Sequence, residues 1–231
     1  MFRIFLLSFL FAGAFAMGAE TKSAPAKKDD PTDWKSLFDG KTLGNWKQVS
    51  YGSNEPVKIE NGCFRIGNVS SMSGIKYVGK DALPKIDYEI RYQARRIEGS
   101  DFFGAVVFPV DKTFCAFING GWGGNTIGLS NIDHSDASEN NTSDSYEFKE
   151  KHWYKIRVRV TKKEIVVWMT PEEEKKEKEV VRCDIVDRNV DLRFETQDFT
   201  PLGFCTWSTT GEIRNIEIRS LKPSELRAEG K

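Results

Sequence analysis

The chain has no surplus of either charge, no Cys-x-x-Cys pair and almost no histidine. Thirty-four basic residues balance thirty-four acidic ones, and there are two histidines in 231 residues. A nucleic-acid partner wants a cationic surplus on one face, so the even balance argues against one. It argues equally against an anionic lipid surface. Without a Cys-x-x-Cys spacing there is no zinc or thiol-redox motif. The Gly-x-Ser-x-Gly elbow of serine hydrolases is missing too. So is the Glu-x-Asp-x-Glu triplet, which would place three acids on one face of a strand in sandwich glucanases. The glycines of GGWGGN lack the Lys-Ser/Thr ending and following helix of a phosphate loop. No long stretch has helical periodicity.

What is present is short and alternating. YEIRYQAR puts Tyr88, Ile90, Tyr92 and Ala94 on one face and Glu89, Arg91, Gln93 and Arg95 on the other. WYKIRVRV repeats the pattern with Tyr154, Ile156, Val158 and Val160 inward. FFGAVVFPV and TFCAFIN are continuously apolar, as central strands covered on both sides are. VKIENGCFRI is a predicted hairpin turning at Asn61-Gly62. PEEEKKEKE, 171–179, reads as a solvated hairpin tip between EIVVWM and EVVRCDI. About a dozen such strands predict an all-β fold, an antiparallel sandwich.

Four segments follow. Residues 1–19 read as a signal peptide, with Arg3, an apolar middle from Ile4 to Phe11 and small residues near Ala14-Phe15-Ala16. The run is too short to span a membrane, so an exported protein, periplasmic or extracellular, is expected. Residues 20–33 form a linker, 34–222 one domain and 223–231 a tail. Export permits disulfides. Yet Cys63, Cys115, Cys183 and Cys205 each sit in an apolar run, which favours four small buried hydrophobes.

Asn119–Thr142 is the segment around which a site is expected. It combines five glycines with Trp122, His134 and many Asn, Asp and Ser residues. Sugars offer apolar C–H faces and many hydroxyls, so they want an exposed aromatic ring beside polar side chains. Trp122 and Asn125 fit that profile, as does Trp207 in GFCTWSTTGE; the alternatives are that Trp122 folds back as the loop's own hydrophobic plug and that Trp207, close behind Phe204 and Cys205, is a core residue. Asp133 and His134, with Glu89, are the candidate acid-base groups. Asp133, Asp136 and Glu139 could instead hold a divalent cation such as calcium, or simply be solvated. Arg91 and Arg157 are candidates for gripping a substrate oxygen; the alternative is cross-strand ion pairing with Glu89. Glu195 and Asp198, three apart, would face opposite sides of a strand.

SLFDGKTLGNW, IDYEIRYQARRIEGSDFFGAVV, the glycine-tryptophan segment, HWYKIRVRV and PLGFCTWSTTGEIRNIEIRSL together resemble the 3-keto-disaccharide hydrolase family, across about 34–221. The resemblance implies a concanavalin-like jelly-roll with a ligand groove on one sheet and a carbohydrate substrate. It also implies cleavage of 3-keto-glycosides, in which the ketone acidifies a neighbouring C–H for a base, with a metal as one way to polarise the ketone. CTWSTTGE stands where members often carry Gln-x-His. The expected activity is therefore glycoside cleavage; the alternative is a non-catalytic carbohydrate-binding or laminin-G-type interaction module. The sugar, the linkage and the oligomeric state are open at this point.

Overall fold

A computed structural model describes residues 30–51, 56–67 and 71–228. The expected signal segment, most of the linker and the last three residues of the tail lie outside them. In chain order the strands are β1 (Lys35–Ser36), β2 (Trp46–Ser50), β3 (Lys58–Glu60), β4 (Cys63–Ile66), β5 (Met72–Tyr77), β6 (Tyr88–Gly99), β7 (Phe103–Val110) and β8 (Thr113–Gly121). They continue with β9 (Thr126–Ser130), β10 (Asp144–Ser145), β11 (Tyr154–Val160), β12 (Glu164–Pro171), β13 (Lys178–Asp184), β14 (Gly203–Trp207) and β15 (Thr209–Ser220). A 3-10 turn covers Phe194–Phe199, and a short helix, α1, covers Pro223–Ala228.

The strands form two antiparallel sheets. One has eight strands in the order β13-β12-β11-β6-β15-β4-β3, with β1 on β15; the other runs β10-β9-β8-β7-β14-β5-β2. This is the all-β sandwich expected from the period-two pattern. Residues of one parity on β6 and β11 enter the core, among them Tyr88, Ile90, Tyr92, Ile156 and Val158. They meet Val106, Phe108, Phe117 and Phe204 of the seven-stranded sheet. Asn61 and Gly62 turn the β3–β4 hairpin with φ of 51° and 76°, as that pair tolerates. The charged segment after β12 is the expected hairpin tip, and all four cysteines are buried and free.

The seven-stranded sheet is covered on its second face as well. Ala105, Val107, Ala116, Ile118 and Cys205 point away from the main core and form a smaller cluster with Phe199, Ala137 and Met72. Small residues let the Phe194–Phe199 turn lie directly on the sheet. A Cβ on Gly74 would stand 2.6 Å from the Phe199 ring. This accounts for the uninterrupted hydrophobicity of FFGAVVFPV and TFCAFIN. The segment expected as one long loop, 119–142, is instead two turns flanking β9, whose Ile127 and Leu129 reach the core.

Candidate functional site

The turn between β8 and β9 carries Trp122. Gly120, Trp122, Gly123 and Gly124 all have positive φ, which explains three of the glycines. Arg96 holds this turn from beneath. On β6 it is in phase with Tyr92 and Ala94, so its guanidinium points inward, and its Nη2 donates to the carbonyls of Gly124 at 2.7 Å and Gly120 at 3.3 Å. Its charge rests 4.9 Å from the centre of the Phe103 ring. Asp101 holds the turn from the other side. Its carboxylate accepts the Phe102 N–H at 2.8 Å, and the amides of Gly123 and Trp122 also bond to it. Burial nevertheless raises the Asp101 carboxyl above its ordinary value, against the pull of those amides and of Arg96.

Across from Trp122 stands Trp207, the last residue of β14, whose backbone N–H donates to the Phe102 carbonyl. The two residues are 44% and 39% exposed. They line one cleft of about 330 Å³ with Asp101, Arg193 and Glu195; Met72, Phe102 and Ile118 supply apolar walls. Arg193 spans the cleft's edge, pairing with the Asp136 carboxylate on one side and with Glu195 at 3.3 Å on the other. Nearby, the Tyr51 hydroxyl donates to Asp198 Oδ2 at 2.7 Å, and burial followed by that carboxylate raises the Tyr51 phenol. Glu195 and Asp198 belong to the 3-10 turn rather than to a strand, so the two-sided arrangement expected of them does not arise.

The other candidates fall in different places. Glu89, Arg91 and Arg157 lie on the outer face of the eight-stranded sheet, which corrects the expectation that they share a site with Trp122. Glu89 is 1% exposed and paired with Arg157, with Arg159 at 2.9 Å and with Arg219 at 2.6 Å. Burial pushes its carboxyl up, but Arg157, Arg219 and Arg159 outweigh burial and hold it below 4.5. Arg91 pairs with Glu217 at 2.6 Å, and Arg157 also pairs with Glu177. These are the cross-strand ion pairs of the alternative reading.

Asp133 is also committed. Its Oδ1 accepts the Asn189 N–H at 2.9 Å and its Oδ2 the Arg188 Nε–H at 2.8 Å, and those bonds lower its carboxyl. His134 is 79% exposed, with Nδ1 3.1 Å from Asp191 Oδ2. It lines a shallow depression next to the tryptophan cleft. Asn125 is exposed and gives its carbonyl to the Tyr146 N–H; its side chain is not in the cleft wall. The three loop acids do not gather around a cation. Asp133 turns to Arg188, while Asp136 accepts from Ser130 Oγ at 2.6 Å and pairs with Arg193. Among the described residues no three His, Cys, Asp or Glu side chains converge as metal ligands.

Asp101, Arg96 and Arg193 escaped the sequence reading. For Arg96 a signal was available: a cation at an inward position of an alternating strand needs a reason to be there.

Fold and cleft together define a lectin-like β sandwich with a tryptophan-walled cleft on the outer face of its seven-stranded sheet. Lectin II from Ulex europaeus shares this fold with a TM-score of 0.52 at 11% identity, over 77% of this chain and 93% of that one. The exoplasmic/lumenal domain of VIP36 in its Ca2+-bound form does so with 0.53 at 12%, over 77% and 84%. Lectin I from Ulex europaeus, in complex with the methyl glycoside of alpha-L-fucose, gives 0.51 at 12%, over 82% and 98%. Such distant likenesses establish the architecture alone. The chain belongs to the family of 3-keto-alpha-glucoside-1,2-lyase-like domains, whose model matches residues 33–219. No curated protein sequence matches it.

Proposed function

We propose that this protein recognises carbohydrate in the cleft between Trp122 and Trp207. One observation carries the reading. Two half-exposed tryptophans, one in the β8–β9 turn and one at the end of β14, wall a single cleft, with Arg193, Glu195 and Asp101 beside them. Apolar rings suit the C–H face of a sugar, and the charged groups suit its hydroxyls. The Trp122 turn is held at both ends before any ligand arrives, which lowers the cost of ordering it on binding. Family membership points the same way. The test is a glycan array read with wild-type protein and with W122A and W207A. The reading expects a defined set of bound glycans and a weakened signal for that set, about tenfold in affinity, in both variants at unchanged melting temperature. An array without signal at millimolar ligand contradicts it.

A second reading, cleavage of a 3-keto-glycoside, is favoured by the Asp101 carboxyl, which burial makes more basic than an ordinary aspartate. An ionised carboxylate there would take the proton on C2, acidified by the C3 ketone. Its electron pair would form C1=C2 as the C1–O bond breaks, and the departing oxygen would take up a proton. D101N is expected to lose turnover altogether while weakening glycan binding only in part, since the amide oxygen still accepts from the turn; turnover at wild-type rate in D101N removes Asp101 as the base. The rate should rise with pH through the raised Asp101 value, because only the ionised form accepts the proton.

Export is part of the proposal and rests on residues 1–19 alone. Fractionation of cells expressing the full chain should recover a shortened product outside the cytoplasm; a full-length cytoplasmic product overturns it. Among the described residues, no helix is long and apolar enough to cross a membrane.

A further inference from the structure

We infer that the tryptophan cleft is half of a longer site, and that its ligand spans at least two sugar rings, crossing a ridge at Arg193–Glu195 with Phe194 as a third stacking platform. This rests on the carbohydrate reading above. Arg193 and Glu195 line two depressions at once: the tryptophan cleft, and a neighbouring one of about 440 Å³. Between them in sequence stands Phe194, 83% exposed.

A lone exposed phenylalanine is ordinary on a protein surface. The position of this one is not. It lines the second depression and stands next to both residues that the two depressions share. The ridge beneath it is fixed. The Thr196 amide and hydroxyl both donate to the Arg193 carbonyl, at 3.1 and 3.0 Å, and the Arg193 side chain is tied to Asp136 and Glu195. Phe194 is therefore presented by a braced turn.

The two depressions differ in a way that suits a ligand of several units. The first is walled by Trp122, Trp207, Met72, Phe102 and Ile118, and grips by apolar contact. The second is lined by Asn131, His134, Asp136, Glu139 and Asp191, an array of donors and acceptors suited to hydroxyl groups. Each alone is near the small end of ligand pockets, which run from about 300 to 1,000 Å³. A ring in the first and a ring in the second leave their linkage over Arg193–Glu195, beside the Phe194 ring. His134, exposed and outside the tryptophan cleft, acquires a place in this arrangement as a contact for the outer ring.

The experiment uses the full mature chain, wild type, F194A and F194W. An array of mono- to hexasaccharides of glucose, xylose, mannose and galactose selects the best series. Titration calorimetry then compares the methyl monosaccharide with its two-, three- and four-ring oligomers. Affinity in the wild type should rise about tenfold or more from one ring to two or three. F194A should lose that increment while keeping monosaccharide affinity and melting temperature, and F194W should restore it. Equal affinity for one and several rings, or F194A matching wild type throughout, overturns the extended site and leaves the tryptophan cleft standing. Failure of every sugar to bind the wild type brings down the carbohydrate reading and this inference with it.

Discussion

The two sheets turn different outer faces to solvent. On the eight-stranded sheet every tryptophan is already covered. Arg91 lies 4.1 Å and Arg219 5.1 Å from the Trp34 ring; Arg95 and Arg214 lie at 4.6 and 4.0 Å from Trp153; Arg157 and Arg159 at 3.8 and 5.5 Å from Trp168. The acids there are matched as closely: Glu89 by three arginines, Glu212 by Arg65 and Arg95, Glu217 by Arg91. On the seven-stranded sheet, Trp122 and Trp207 carry no such cation among the described residues. Both faces are rich in tryptophan and charge, so composition cannot tell them apart. Satisfaction can. A group whose partners are all supplied by its own chain supports the fold, and one left half-exposed beside a cleft is available to a ligand.

The comparison breaks most visibly at Glu89. E89A leaves three arginines facing a buried gap, and loss of one partner from such a cluster costs about 3–5 kcal/mol. Thermal or urea unfolding should show a large drop, with glycan affinity unchanged in the protein that remains folded. A small drop would mean that the charged face is decoration. W122A and W207A should do the opposite. Each should weaken glycan binding about tenfold, near 1.4 kcal/mol, and leave unfolding almost untouched. R96K sharpens the contrast further, because lysine cannot reach both turn carbonyls as a guanidinium does. Glycan affinity should fall about threefold, with faster proteolysis at Gly120–Gly124 and normal affinity restored by no change on the other sheet.

Acid gives the mildest test. Glu89 is held below its ordinary 4.5 in the folded protein, so the unfolded chain binds its proton more readily. Its contribution is complete above about pH 4.5 and is lost as pH falls toward the folded value. Unfolding free energy should therefore decline with acid in the wild type, and the Glu89 share of that slope should vanish in E89Q. An identical slope in both would assign the acid sensitivity elsewhere.

Much of this architecture is legible in the sequence. Alternation in β6 and β11 announced strands with one buried face, and Asn61-Gly62 announced a hairpin, because both signals are local in the chain. The glycines around Trp122 marked a turn for the same reason. The partners of the charged residues were not legible. Glu89 meets Arg219 across 130 positions, and Asp136 meets Arg193 across 57. Alternation says that Glu89 and Arg157 face away from the core, but only the strand order β11-β6-β15 says that they meet each other and not a substrate. Asp133 and His134 looked like neighbours of Trp122 because eleven or twelve positions separate them. After the intervening β9, Asp133 turns to Arg188, and His134 lines the neighbouring depression rather than the tryptophan cleft itself.

The most direct measurement is calorimetric titration of the best array glycan into wild-type protein, W122A/W207A and W153A. The account predicts that the double variant loses binding while W153A, whatever its stability, keeps wild-type affinity in its folded fraction. Binding that survives in W122A/W207A and disappears in W153A would put the sugar on the arginine-covered face and contradict the account.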